Sequence, residues 1–248
     1  MNTFNVSFAR ELNDALWAME KDPEVRVVVI DANGKHFSTG ISLDEFHGKT
    51  NLEFREFIRL MDEHNHTIAG MKKPVIASVK GYALANGAGL SFACDLKVAA
   101  EDAKFGTTVI NVGLICLGPA APLSLNVGRK KALEMVLTGD IISAAESERL
   151  GLVNKVVPND RLEEATLELA GKLAAKSPLA LRAGKAGIYG MQDVPYHQAL
   201  DKLSDQFAAL CCTEDGGGRG QGLFGKKETN LVRTLTDSLN TSRSNTAV

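Results

Sequence analysis

Cysteine is scarce: Cys94, Cys116, Cys211 and Cys212 are all the chain has. None forms a CxxC pair and no group has zinc-ligand spacing, so neither a dithiol redox motif nor a zinc module is indicated. Cys211 and Cys212 are neighbours, a poor geometry for bridging each other. A reducing, cytoplasmic setting is the expectation. Long apolar runs are missing too; nothing approaches the roughly 18 residues a membrane span needs. Met1 to Arg10 has no basic stretch followed by an apolar one, so no secretory signal is expected there. Neither sign of charge is in excess: 28 Lys and Arg stand against 30 Asp and Glu, a net charge of −2. No overall field would draw nucleic acid or an anionic membrane. Neither GxGxxG nor a P-loop occurs, which removes the common nucleotide folds. No internal repeat is present.

What remains is an ordinary globular composition, 44% hydrophobic and 23% charged over 248 residues. That length suits one large α/β domain, with or without a small helical appendage. Ser7 to Glu20 places Phe8, Leu12, Ala15, Leu16 and Met19 on one helical stripe, and Asp22-Pro23 ends it. Val25 to Ile30 is nearly all apolar and β-branched, which suits a strand covered on both faces. Pro74 to Val79 reads the same way, and Leu96 to Ala99 as a third strand. Between them Gly87 to Cys94 is small and apolar, the pattern of a buried helix. The alternation of strand, turn, helix and strand predicts an α/β fold with crossover connections. Helices are then predicted over Gly128 to Leu137, from the capping pattern Ser143-Ala144-Ala145-Glu146, and over Leu162 to Ala175, Pro178 to Ile188 and Pro195 to Leu210. Val153 to Val157 is a short strand. Thr234 to Val248 is rich in Ser, Thr and Asn with little to bury, so disorder is expected.

Two glycine-bearing junctions could carry chemistry. One is Phe37-Ser38-Thr39-Gly40-Ile41-Ser42, after a strand. The other is Gly81-Tyr82-Ala83-Leu84-Ala85-Asn86-Gly87-Ala88-Gly89, after a strand and before the small-residue helix. Such junctions can turn backbone N–H groups into a cleft, and a helix N-terminus favours developing negative charge. Two such groups converging would make an oxyanion hole. Taken alone, glycines after strands more often serve turns.

These segments, in order, resemble the enoyl-CoA hydratase/isomerase (crotonase) family. Phe37 to Ser42 is similar to its F-x-A-G-A-D element. Lys73-Pro74-Val75-Ile76-Ala77-Ser78-Val79-Lys80-Gly81-Tyr82-Ala83 is similar to K-P-V-I-A-A-V-x-G-x-A. Cys94-Asp95-Leu96 with Ala103-Lys104-Phe105-Gly106, then Gly113-Leu114, Thr138-Gly139 and Gly151 to Pro158, continue the likeness. It runs from about Asn2 to Lys227. The resemblance implies a spiral of repeated ββα units over residues 1–158, with the first strand pair either truncated or lying upstream of the start. It implies a C-terminal helical region for trimerisation and capping of CoA over residues 159–228, before a disordered tail over 229–248. It implies homotrimers or dimers of trimers, an acyl-CoA ligand, and neither metal nor redox cofactor. The thioester carbonyl would sit between the amides of Ile41 and Asn86. Thr39, Ile41, Ser42 and Leu43 would line the CoA site. Leu223 or Phe224, with Lys226 and Lys227, would match the basic C-terminal element that meets the CoA phosphates.

The departures from that pattern bear on activity. The two glutamates that position water in hydratases fall here at Gly89 and Val109, and a third carboxylate position used by some isomerases falls at Leu117. None of the three can exchange a proton, whereas general acid–base work needs a titratable group within reach. The usual glycine at Asn86 is changed, which predicts a side chain at the rim of the hole and a residue tolerant of positive φ. The usual aspartate is Ser42. Cys116, Asp44, Glu45, His64 and His66 are the remaining candidates for chemistry, each with an ordinary structural alternative. Lyase- or isomerase-type chemistry on a non-standard thioester is one reading. A non-catalytic acyl-CoA-binding subunit is the other. A serine hydrolase has no supporting Ser-His-Asp arrangement.

Overall fold

The computed structural model describes residues 2–213 and the backbone of Val232–Thr234. Helix α1 (Val6–Lys21) starts at Asn5, whose side chain accepts from the Phe8 amide, and buries Ala9, Leu12, Leu16 and Met19. Strand β1 (Val27–Ile30) follows, buried at every residue. Helix α2 (Asn51–Gly70) opens with a capping box: the Thr50 amide donates to Glu53, and the Glu53 amide donates to the Thr50 hydroxyl. Its buried stripe is Phe57, Met61, His64 and Ile68. Strands β2 (Val75–Val79) and β3 (Tyr82–Leu84) lead to α3 (Asn86–Ala93), every residue of which is buried. Strands β4 (Leu96–Ala100) and β5 (Lys104–Gly106) precede α4 (Leu117–Thr138), which breaks at Gly128 with φ 76° and ψ 161°. The remainder is β6 (Ile141–Ser143), α5 (Ala144–Arg149), β7 (Lys155–Val157), α6 (Leu162–Ala174), α7 (Pro178–Gly190), α8 (Tyr196–Cys211) and β8 (Val232–Thr234).

Two sheets result. One has the order β7-β4-β2-β1-β8 with every neighbour parallel. The other has β5 between β3, parallel to it, and β6, antiparallel. The all-parallel sheet is covered on both sides, which is why its strands read as continuous apolar runs rather than alternating ones. Val28, Ile30, Val75 and Ala77 face the main core with α1, α2 and α3, whereas Val27, Val29, Ile76 and Val98 pack with Leu162, Ala165 and Ala170 of α6. The ββα repetition and the helical C-terminal part agree with the expected fold class. Within the stretch expected to be disordered, Val232–Thr234 runs beside β1 as an edge strand; the rest of 229–248 lies outside the described residues. Among the described residues, no helix is long and apolar enough to cross a membrane.

Candidate functional site

The two glycine junctions meet. Ser38 bridges to Ala83: its amide donates to the Tyr82 carbonyl at 3.0 Å, and its carbonyl accepts from the Leu84 amide at 2.9 Å. Phe4 then clamps the following loop, donating to the Gly40 carbonyl and accepting from the Ser42 amide, both at 2.8 Å. Gly40, at φ 98°, lies so close to the second junction that a Cβ there would sit 2.7 Å from the Ala85 Cβ and 3.4 Å from the Asn86 nitrogen. A Cβ at Gly87 would likewise run into Ser38, 2.6 Å from its hydroxyl oxygen. Side chains at either position would force the junctions apart, so here glycine permits close approach rather than mere flexibility.

The second junction turns on Ala85, with φ 50° and ψ −123°. Positive φ, which Asn86 would tolerate, falls one residue earlier, on an alanine, a conformation costing about 1–3 kcal/mol and typical of functional turns. The Ala85 amide is held by the Gly106 carbonyl at 2.8 Å. The next amide, Asn86, begins α3. Neither it nor the Ile41 amide donates to any acceptor among the described residues. The Asn86 side chain is not at the rim either. It is 4% exposed, and its Nδ2 donates to the Met61 carbonyl at 2.9 Å, tying α3 to α2.

The three vacated carboxylate positions have different surroundings. A Cβ at Gly89 would sit 2.9 Å from the Pro119 ring, so no side chain fits there without moving α4. Val109 is half-buried, and its carbonyl accepts from the Leu114 amide at 3.1 Å. Leu117 is 68% exposed. Cys116 is buried at the N-cap of α4, and burial raises its pKa, so it stays a thiol rather than a nucleophilic thiolate.

One residue in this region escaped sequence reasoning. Asp62, on α2 next to Met61, sets its carboxylate against Gly118, where any Cβ would collide with it. Burial raises its pKa to about 6, partly opposed by His66. The signal was present: Thr50-x-x-Glu53 is a capping box, and Phe57, Met61, His64 and Ile68 mark a helix whose next face carries Asp62. His64, by contrast, is a core residue. It is 1% exposed, packs at 5.6 Å from Phe4, and has no hydrogen-bond partner for either ring nitrogen. Burial drives its pKa down to about 4. His66 is exposed, as is Asp44, while Glu45 is half-buried in the turn after Ser42.

Thr39, Ile41 and Ser42 are half-buried and Leu43 is exposed, consistent with a partly open rim. Leu223, Phe224, Lys226 and Lys227 lie outside the described residues. A groove of about 380 Å³ between α7 and α8 and a pocket of about 130 Å³ beside Phe8 and Ile30 include neither Ile41 nor Asn86. Among the described residues no cluster of His, Cys, Asp and Glu could hold a metal ion.

Comparison with known proteins points the same way as the motifs. The family described as enoyl-CoA hydratase/isomerase matches residues 1–214. The crotonyl-CoA hydratase of Syntrophomonas wolfei is 32% identical, over 94% of this chain and 90% of its own. The 2,3-dehydroadipyl-CoA hydratase of Escherichia coli K12 is 35% identical, over 86% of this chain and 84% of its own. The crystal structure of an enoyl-CoA hydratase from Mycobacterium smegmatis superimposes with a TM-score of 0.82 at 34% identity, covering 84% of this chain and 82% of that one.

Proposed function

The chain belongs to the enoyl-CoA hydratase/isomerase family, and on that premise we propose that it binds an acyl-CoA thioester with the carbonyl oxygen between the amides of Ile41 and Asn86. The observation that carries this reading is the interlocked pair of junctions. Gly40 and Gly87 allow contact that no side chain would permit, and the amides of Ile41 and Asn86 meet no acceptor among the described residues. Backbone donors fixed this way favour charge developing on the thioester oxygen, and losing one costs about a hundredfold or more in rate. The acyl group belongs to a thioester other than the ordinary hydratase substrate, since Gly89, Val109 and Leu117 supply no proton.

The exposed apolar residues Val112, Leu114, Ile115 and Leu117 fit contact with an acyl chain or with further copies of the chain, in keeping with the trimeric assembly the resemblance implies. The acid–base gap at the family positions favours a second reading, an acyl-CoA binder without turnover.

Calorimetric titration with butyryl-CoA, phenylacetyl-CoA and free CoA tests the site. Tighter binding of the thioesters than of free CoA is expected. Equal affinity for all three would remove the carbonyl from the recognition, and no binding of any would end the reading.

A further inference from the structure

We propose that Asp62 is the general base of this site, a carboxylate supplied from α2 in place of those absent from the start of α3 and the loop before α4. The proposal rests on the thioester reading above and deepens it.

The placement is the argument. Two of the three vacated positions lie beside the turn of α4 that meets Asp62. Gly89 packs on Pro119, which follows Gly118, and the Asp62 carboxylate lies against Gly118 itself. Leu117 precedes Gly118 in the same turn of α4. Cys116, two residues before Gly118, is buried at the N-cap of the same helix, where burial and, to a lesser degree, the charge of Asp62 raise its pKa. On the other side, the Asn86 side chain holds the carbonyl of Met61, the residue before Asp62. The second oxyanion donor and this carboxylate are therefore fixed to each other through one hydrogen bond and one peptide unit. Gly118 fits the same plan, since any larger residue would displace the carboxylate.

The chemistry balances without any co-reactant. An Asp62 carboxylate oxygen takes the proton from the carbon α to the thioester. The C–H bond breaks and an O–H bond forms. The electron pair moves into the enolate, whose negative oxygen faces the Ile41 and Asn86 amides. Return of the proton, or of a deuteron acquired from solvent, completes exchange, isomerisation or the reverse step. A carboxyl that titrates near neutrality is suited to both directions. Two other titratable groups face it: His66, on the same helix, and the Cys116 thiol at the start of α4, which burial keeps protonated.

The experiment follows deuterium entering butyryl-CoA and phenylacetyl-CoA in D2O by mass spectrometry, using the full chain, wild type and Asp62→Asn, with affinities for the same thioesters measured in parallel. Wild type is expected to exchange the α-position, with a rate that climbs through the ionisation of Asp62 near pH 6 and then levels. Asp62→Asn is expected to lose about a hundredfold or more in exchange while its affinity for the thioesters stays within about threefold, the range of weak uniform-binding effects. Exchange at the wild-type rate in Asp62→Asn overturns the proposal and leaves the thioester reading standing. So does a wild type that binds thioesters but exchanges nothing at any pH. If His66→Gln rather than Asp62→Asn abolishes the pH-dependent limb, the base is His66 and the proposal fails. If neither thioester binds, the reading beneath it falls as well. Should Asp62→Asn not fold, the wild-type pH profile still decides: a rate with no rise across pH 5–7 overturns the assignment.

Discussion

The starts of α3 and α4 touch, through Gly89 and Pro119, yet they are built by opposite means. At α3 everything is backbone. Gly40, Ala85 and Gly87 bring two strand ends into contact, every helix residue is buried, and the groups proposed to act are amides. At α4 the backbone matters less. Leu117 is exposed, Cys116 and Gly118 sit beneath it, and a carboxylate, that of Asp62, arrives from another helix. A site made of backbone tolerates almost no substitution where chains cross. A site made of side chains can hand a role from one element to another, because only the position of the functional atom matters. The first half of the proposed site keeps the glycine-bearing pattern that the resemblance implies, and the second half departs from it.

The largest effect should come from crossing that backbone contact. Gly87→Ala places a methyl group inside Ser38, with no flexible side-chain end to yield. A loss of about 3 kcal/mol or more is expected, the upper range for overpacking a tight core, read as a fall in the urea midpoint at constant slope. A loss below about 1 kcal/mol would mean the two junctions are not locked, and the contrast with α4 would weaken.

Asp62→Asn probes the other half, and its effect should have the opposite sign. The folded carboxyl has its pKa raised from 3.8 to about 6 by burial. Between those values the unfolded chain gives up its proton while the folded chain keeps it, so Asp62 costs stability as pH rises through that window, and the cost is complete above about pH 6. The full cost is about 2–3 kcal/mol from the size of the shift. The asparagine variant should therefore be more stable than wild type by up to that amount at pH 8 and similar to it at pH 3.5. A variant that gains stability while losing deuterium exchange would fit the trade between stability and activity common at functional residues. Equal stability at both pH values would place Asp62 in open solvent.

His64 lies half a turn away on the same helix and behaves as core. Its folded pKa is lowered from 6.5 to about 4 by burial. Below about pH 6.5 the unfolded chain takes up a proton that the folded chain refuses, so stability falls as pH drops and the loss levels off near pH 4. About 2 kcal/mol should disappear between pH 7.5 and pH 5 from this group. His64→Leu should remove that acid sensitivity, since neither ring nitrogen has a hydrogen bond to lose. Retained sensitivity would move its origin to another group.

How much of this is legible without coordinates follows the same division. Strands β1, β2 and β4 and helices α1, α3, α6, α7 and α8 announce themselves because their burial repeats locally, as unbroken apolar runs or helical stripes. The junctions at Gly40 and Gly87 are legible because the need for glycine is a backbone need. Helix α2 is passed over although Thr50 and Glu53 cap it, because its buried stripe includes His64, which reads as polar, and Phe57, Met61 and Ile68 are spaced among charges. With α2 goes Asp62, whose partner Gly118 is 56 positions away in the numbering of the chain. The Asn86 side chain is misplaced for a related reason. Its destination, the Met61 carbonyl, belongs to that same helix.

The smallest effect belongs to the surface of the half that departs. Leu117 occupies the position where the resemblance implies a third carboxylate, and its side chain is 68% exposed. A leucine this exposed contributes little to the fold of one chain, so Leu117→Gln should change unfolding free energy by less than about 0.5 kcal/mol. If the apolar strip from Val112 to Leu117 is covered by an acyl group or another copy of the chain, the same substitution will show itself elsewhere. It should weaken thioester affinity or shift the self-association equilibrium in sedimentation by severalfold, at unchanged stability of the dilute protein. A glutamine that alters stability but neither equilibrium would mean that Leu117 is held by its own chain, and that the start of α4 is as fixed by internal packing as the start of α3.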